Sequence, residues 1–486
     1  MRRRISVRMA VAVVTVVLAQ VFTLGAPAHA DHNQDQHSPN ARLVFNSQNS
    51  TGATNSDLAF WGDRAYAGNY AGFRIFDISR PASPQLLSDF QCLGAQNDVV
   101  AWENELVFTG TDRTMTGPEC GSTPTAAFDD PTGWEGVRIF DVSNPREPHQ
   151  VGSVYTDCGA HTMSVFPKNR HEVLLYVSSY PLLPGPTCGP VRGPENGNSP
   201  LHEKISVISV PLRNPEAARV VAEPVISYPG DPDNRFDPDE HGLTGLDDFT
   251  GCHDISVHVE RRVAAAACGE QIQLWRIGRD GIPDTEHPVW VFDDKTDSDG
   301  PGGGDSGRDF WHTARITWDG RYVQIDDESF GSGCPTVTLG NEDTGRTHLL
   351  DMRTGRRLST FTLPRTDASP TAYCSVHQGN FVRTTDGRYL SVSAWYTGGV
   401  DVIDFTNPRH PREVAYYDIA GDGTAGSHNW AAYWYEGSQL SRNSLTIYGQ
   451  DGFAGGPSPR GFEVFEVRLR GVRDRSVRHM NPQTVG

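Results

Sequence analysis

Beyond its first thirty residues, this 486-residue sequence has no apolar run long enough to cross a bilayer. It also has no sustained apolar period near 3.6, so helices are expected to be few. There is no CxxC pair, which removes zinc knuckles and thioredoxin-like redox chemistry, and no HxH or HExxH spacing. Neither a GxSxG elbow nor a GxxxxGK[ST] loop occurs, which excludes the usual hydrolase elbow and nucleotide cradle. The GDSG string at 304–307 sits in a Gly/Asp loop without the histidine context of a serine protease. Basic residues are in deficit, with 42 Lys+Arg against 60 Asp+Glu and a net charge of -18. The first thirty residues hold four arginines and no acid, so the remainder stands at -18 less four, or -22. Nucleic acid and anionic lipid, which need a basic footprint, are disfavoured as partners.

What is present begins with an export pattern. Arg2, Arg3 and Arg4 precede an apolar run at 9–24, and Ala28-His29-Ala30 forms a small-x-small cleavage site. Residues 1–30 are therefore expected to be a signal peptide removed near Ala30, leaving a secreted chain without a membrane span. Residues 31–40 are polar and are expected to be disordered. Eight cysteines in an exported chain favour disulfides over thiol chemistry.

The chain repeats one pattern: GFRIFDISRPASPQLLSDF from Gly72, GVRIFDVSNPREPHQVGSV from Gly136, and GVDVIDFTNPRHPREVAYYDI from Gly399. Each reads as a glycine, an alternating strand ending on Asp, a proline-containing turn, and a second strand. Degenerate copies bring the total to seven, with central strands at 73–77, 137–141, 205–210, 272–277, 347–352, 400–405 and 462–467. Hairpins precede them, and WDGRYVQIDDE and TDGRYLSVSAW carry Asp-Gly turns. Four strands per unit of roughly 50–75 residues is the size and order of a propeller blade. The seventh copy lacks a fourth strand, and an orphan strand at 41–47 resembles the one it lacks. The expected fold is all-β, a single seven-bladed propeller over 41–470, closed by that N-terminal strand, with a polar tail at 471–486.

The RIFDISRP, RIFDVSNP and DVIDFTNP strands resemble those of the LVIVD-repeat propellers, a family of exported proteins. The likeness implies the fold and export and says little about activity. A more distant architectural likeness, to the selenium-binding protein (methanethiol oxidase) propellers, would bring histidine-bound copper with it.

Aligning the first strands of the blades puts Ser56, Asn97, His161, His253, His312, His377 and His428 at one equivalent position. First strands line the channel of a propeller, so five imidazoles should surround one mouth. Two readings follow. Such residues brace neighbouring blades in many propellers, as His253-Asp254 and Asn97-Asp98 suggest. Converging imidazoles also bind copper, zinc or iron. The second strands end at the same face on Asp327, Glu328 and Asp451, and Glu328 and Asp451 are the candidate catalytic acids. The chain is then either a binding module for a small-molecule or protein partner, or a metal-dependent oxidoreductase or hydrolase.

Blade alignment also narrows the cysteines. A loop bridging to the next blade predicts Cys120–Cys158 and Cys334–Cys374. The hairpin 252–268 sets Cys252 opposite Cys268 and competes with a Cys188–Cys252 bridge, and if the hairpin pair forms, Cys92 and Cys188 remain for each other. Asp293, Asp294, Asp297, Asp299 and Asp305, and likewise Asp231, Asp233, Asp237 and Asp239, form acidic loops that lack the DxDxDG order of a calcium hand, so calcium is the weaker expectation.

Overall fold

The computed structural model describes residues 36–179, 185–187, 202–230, 251–293, 311–328, 345–365, 374–418, 429–435, 440, 443–452, 460–470, 479–481 and 483–485. Within each repeat the residues dictate the turn. Asp77 Oδ1 accepts from the Ser79 amide at 2.8 Å, Asp141 Oδ1 from Ser143 at 2.9 Å, and Asp404 Oδ1 from Thr406 at 2.8 Å. These Asx turns end the third strand and send the chain back as the fourth. The leading glycine is there because the fourth strand passes close by. A Cβ on Gly136 (φ +139°) would stand 2.2 Å from Val154 O, and one on Gly72 (φ +149°) 2.0 Å from Phe90 O. No side chain fits there.

Seven sheets result, each with its first strand inside and its fourth outside. The first strands are Asn55–Trp61, Val99–Trp102, Thr162–Asn169, Cys252–His258, Trp311–Ile316, Gly379–Val382 and Asn429–Trp434. Each touches the next around the ring, and the seventh touches the first. Among the described residues the only helical element is the turn Pro215–Ala217.

The core is divided into seven apolar clusters, one between each pair of neighbouring blades. Strand alternation explains this. Leu58 and Phe60 face blade seven while Ala59 faces blade two. In blade four, Ala264 and Ala266 face blade three while Ala265 and Ala267 face blade five. Strands buried on both faces read as continuous apolar runs, as VAAAA does.

Ring closure uses the N-terminal strand. Ala41–Gln48 pairs antiparallel with Gly461–Arg468 and supplies the fourth strand of blade seven. Gly461 stands against Ser47 O as Gly136 stands against Val154 O. Two segments differ from expectation. Within the stretch 31–40, expected to be disordered, Gln36–His37 adds a fifth strand to blade six, and 31–35 lie outside the described residues. The polar tail is built into the ring at its end: Thr484–Val485 pairs with the first strand of blade four, and His479–Met480 with that of blade one. Unpaired inner edges of first strands accept backbone from any segment that reaches them. Residues 1–30, expected to be a signal peptide, lie outside the described residues.

Gly136→Ala is expected to lower unfolding stability by about 1–3 kcal/mol, because a methyl would press on Val154 O. Gly121→Ala, where φ is +97° but a Cβ meets nothing within 4 Å, should cost less. Equal losses in denaturant melts would assign the effect to backbone strain and contradict the packing explanation.

Candidate functional site

In blades one, four and five the first strands bulge where the aligned residues sit. Cys252 pairs with Cys268 and Ile255 with Ala266, so His253 and Asp254 together oppose one residue. Trp311 pairs with Asp327 and Thr313 with Asp326, leaving His312 as the extra residue. Blade one repeats this at Ser56 and Asp57, between the Asn55–Asn69 and Leu58–Ala67 pairs. A bulge re-aims side chains that strict alternation would send apart. Neighbouring residues of one strand thereby reach the channel together.

Four of the aligned histidines meet in an arc running through blades three to six. His161 Nε2 lies 3.1 Å from His253 Nε2. Ring centroids of His253 and His312 are 3.7 Å apart, and those of His312 and His377 are 4.1 Å apart. Glu328 closes the arc, its carboxylate oxygens 3.8 Å from His312 Nε2 and 3.9 Å from His377 Nε2. His253, Asp254 and His312 form one group of converging ligand atoms, and His312, Glu328 and His377 another. His428 lies outside the described residues.

Outer partners orient the rings. Asp112 Oδ2 is 2.7 Å from His161 Nδ1, and Asp254 Oδ1 is 3.4 Å from His253 Nδ1. His377 Nδ1 donates to Trp430 O at 2.6 Å, which leaves its Nε2 as the bare nitrogen. Tyr396 donates its hydroxyl to Glu328 Oε1 at 2.6 Å, and the rings of Tyr396 and Trp430 pack on His377.

Burial sets the protonation. It pushes His253 down to about 4 and His377 to about 3, and it holds His312 well below the ordinary value with help from the neighbouring imidazoles. Burial raises Glu328 to about 7 against the Tyr396 hydrogen bond. These three imidazoles are therefore neutral at pH 7, the form in which histidine binds metal. Deeper in the channel, Tyr433 donates to Asp57 Oδ1 at 2.5 Å. Burial lifts Asp57 to about 7, and it lifts Asp98 well above the carboxylate range, with Asp57 and Asp254 adding to the effect on Asp98.

The remaining aligned positions do other work. Asn97 Nδ2 donates to Asn69 O at 2.9 Å and Cys92 O at 3.3 Å, tying blade two to blade one. Ser56 donates to Asn97 O at 3.4 Å. Bracing thus describes blades one and two, while blades three to six turn their residues on one another. Asp327 pairs within its sheet and lends its peptide N–H to Arg346 O. Asp451 does not join the histidine groups found among the described residues, and its backbone carbonyl accepts from Asn55 Nδ2. Asp112, which orients His161, was not legible in sequence: it lies within the long second strand of blade two, Leu106–Met115, without a motif around it.

Two disulfides are described, Cys92–Cys120 and Cys252–Cys268. The first corrects the expected Cys120–Cys158 bridge and also removes Cys92–Cys188. Arg138 is the reason. Its guanidinium donates to Leu93 O, to Pro118 O at 2.8 Å and to Ser122 Oγ at 3.1 Å. That folds the blade-two loop back toward blade one, not forward. The Cys252–Cys268 bond likewise removes Cys188–Cys252. Cys158 and Cys374 are also disulfide-bonded, while Cys188 and Cys334 lie outside the described residues. Because Cys158 is oxidised, the group Asp157, Cys158 and His202 offers no thiolate. Of the acidic-loop residues only Asp293 is described.

The LVIVD repeat model matches residues 52–91 and 132–156, the first two copies of the repeat. No curated protein matches the chain. Among solved structures, that of U3-55K covers 89% of this chain and 99% of its own at 9% identity, with a TM-score of 0.50. The β-propeller domain of Cps50 (Swd1) from Myceliophteria thermophila covers 91% and 98% at 10% identity, with a TM-score of 0.43. Sqt1 from Saccharomyces cerevisiae covers 90% and 91% at 8% identity, with a TM-score of 0.46. At such identities the likeness extends to the fold alone.

Acid should destabilise the chelator-treated protein through these histidines. An imidazole depressed to about 4 stays neutral when folded, whereas the unfolded chain protonates near 6.5, so its contribution is present above 6.5 and lost toward 4. Glu328, raised from 4.5 to about 7, acts oppositely: its contribution is present below 4.5 and lost toward 7. The double variant His253→Gln/His377→Gln should therefore lose less stability than the parent between pH 6.5 and 4 in urea melts. Parallel pH profiles would contradict neutral buried imidazoles.

Proposed function

We propose that this LVIVD-repeat propeller is an exported binding module whose channel mouth holds a first-row transition metal, copper, zinc or iron. One observation carries the reading. Asp112 Oδ2 stands 2.7 Å from His161 Nδ1 and Asp254 Oδ1 3.4 Å from His253 Nδ1, which favours the N–H on each Nδ1 and the lone pair on each Nε2, yet the two Nε2 atoms are only 3.1 Å apart. Without a metal, one ring must either carry a second proton or turn its N–H to the other and set a lone pair against a carboxylate. A cation between the two removes that conflict. Two nitrogens about 2.1 Å from one ion stand about 3.0–3.4 Å apart at angles of 90–109°, in keeping with the observed gap. Carboxylates behind ligating imidazoles are the usual outer shell of such sites. Disulfides among the described residues are in keeping with export, and no described helix is long and apolar enough to cross a membrane.

Glu328 supports a second reading, a metal-dependent oxidoreductase or hydrolase. When bound, the metal would supply Lewis acidity or redox capacity. Glu328, raised to about 7 by burial and bonded to the Tyr396 hydroxyl, is poised to take up or release a proton near neutrality. The partner in either case is a small molecule or an exposed protein side chain able to enter the mouth.

Untagged protein purified without chelator should carry about one equivalent of copper, zinc or iron. A folded His161→Ala/His253→Ala variant should carry none. A parent protein that stays metal-free after incubation with each salt would overturn the proposal.

A further inference from the structure

The described residues of the C-terminal tail run across the inner strands of blades one to four. Met480 pairs with Phe60, Asn481 exchanges hydrogen bonds of 2.7 and 2.9 Å with the Ala101 amide and carbonyl, and Thr484 pairs with Val257 and donates to Val165 O at 2.9 Å. Phe60, Ala101, Val165 and Val257 each lie four residues along their strands from Ser56, Asn97, His161 and His253. At 3.3 Å per residue the tail therefore crosses about 13 Å below the histidine layer. The tail thus lies against the inner strands of blades one to four, at the end away from the histidines.

One residue of that tail reaches upward. Gln483, 4% exposed, donates from Nε2 to Asp254 Oδ2 at 3.0 Å and to Gln378 Oε1 at 2.9 Å, and its Oε1 accepts from Ser256 at 3.0 Å. Gln378 donates to the same Asp254 oxygen at 2.6 Å. Two amides, from blade six and from the tail, thus fix Asp254 Oδ2 and leave Oδ1 facing His253 Nδ1. We infer that Gln483 is a positioning residue for the histidine site: through Asp254 it sets the tautomer and aim of His253. This rests on the metal reading above. It assigns the tail, which the sequence presents only as a polar end, a part in building a site some 13 Å away.

The test is copper(II) titration against a competing chelator, with electron paramagnetic resonance spectra, on the full chain and two variants. Gln483→Met keeps the side-chain length and removes the amide, and Asn481→Ala loosens the tail without touching Asp254. Gln483→Met should weaken copper binding about tenfold, the lower end of the usual outer-shell effect, and alter the spectrum. Asn481→Ala should leave both unchanged. Gln483→Ala is run alongside, so that a folded variant is in hand if the methionine is not accommodated. Parent-like affinity and spectrum in the Gln483 variants would overturn the inference. So would equal shifts in the Asn481 and Gln483 variants, which would reduce the tail to an anchor. A parent chain that binds no copper, zinc or iron would instead bring down the metal reading itself, and this inference with it.

Discussion

The pairing of Ala41–Gln48 with Gly461–Arg468 holds the ring shut, and the rest of the molecule depends on it. Each blade buries its two faces only because a neighbour stands on either side. Releasing this strand would open blade seven and expose the clusters it shares with blades six and one, which include Trp434, Phe465, Phe60 and Tyr448. Large apolar side chains are worth about 1.5–3 kcal/mol each when buried, so the closing strand protects far more than its own contacts. Closure also fixes the channel radius, and with it the distance across which side chains from different blades can meet.

That distance creates the electrostatic problem at the centre. Inner strands crowd polar residues into a space with little water, and charged forms are disfavoured there. The histidines of blades four to six respond by staying neutral, Glu328 and Asp57 by rising to about 7, and Asp98 by rising well above its ordinary value. Gln378, Gln483 and Tyr433 supply donors to the acids that sit deepest. The arrangement is polar but low in charge, and its bare imidazole nitrogens gather at one end.

How much of this was legible in sequence varies with the range of the interaction. The blades were, because Gly-strand-Asp-turn is a local pattern with local causes: the Asx turn at Asp141 and the strand crossing at Gly136 involve residues within one repeat. Convergence of the histidines followed from aligning repeats, since equivalent positions in a ring point to a common axis. What the sequence hid depends on contacts between blades or between distant segments. Asp112 meets His161 across 49 residues, and Gln483 meets Asp254 across 229. The Cys92–Cys120 bond turned on Arg138 pulling a loop backward, a preference no cysteine spacing contains. Asn97 and His253 hold equivalent places, yet Asn97 ties blade two to blade one while His253 meets His161 and His312, a difference set by the side chain and not by the slot.

The central claim is that imidazoles from several blades share one ion. X-ray absorption at the metal edge of the loaded protein tests it most directly, because multiple scattering counts histidine rings. The account predicts at least three imidazole nitrogens at about 2.0–2.1 Å. A shell of oxygens with one imidazole or none would place the metal elsewhere on the acidic surface and leave the histidines as framework.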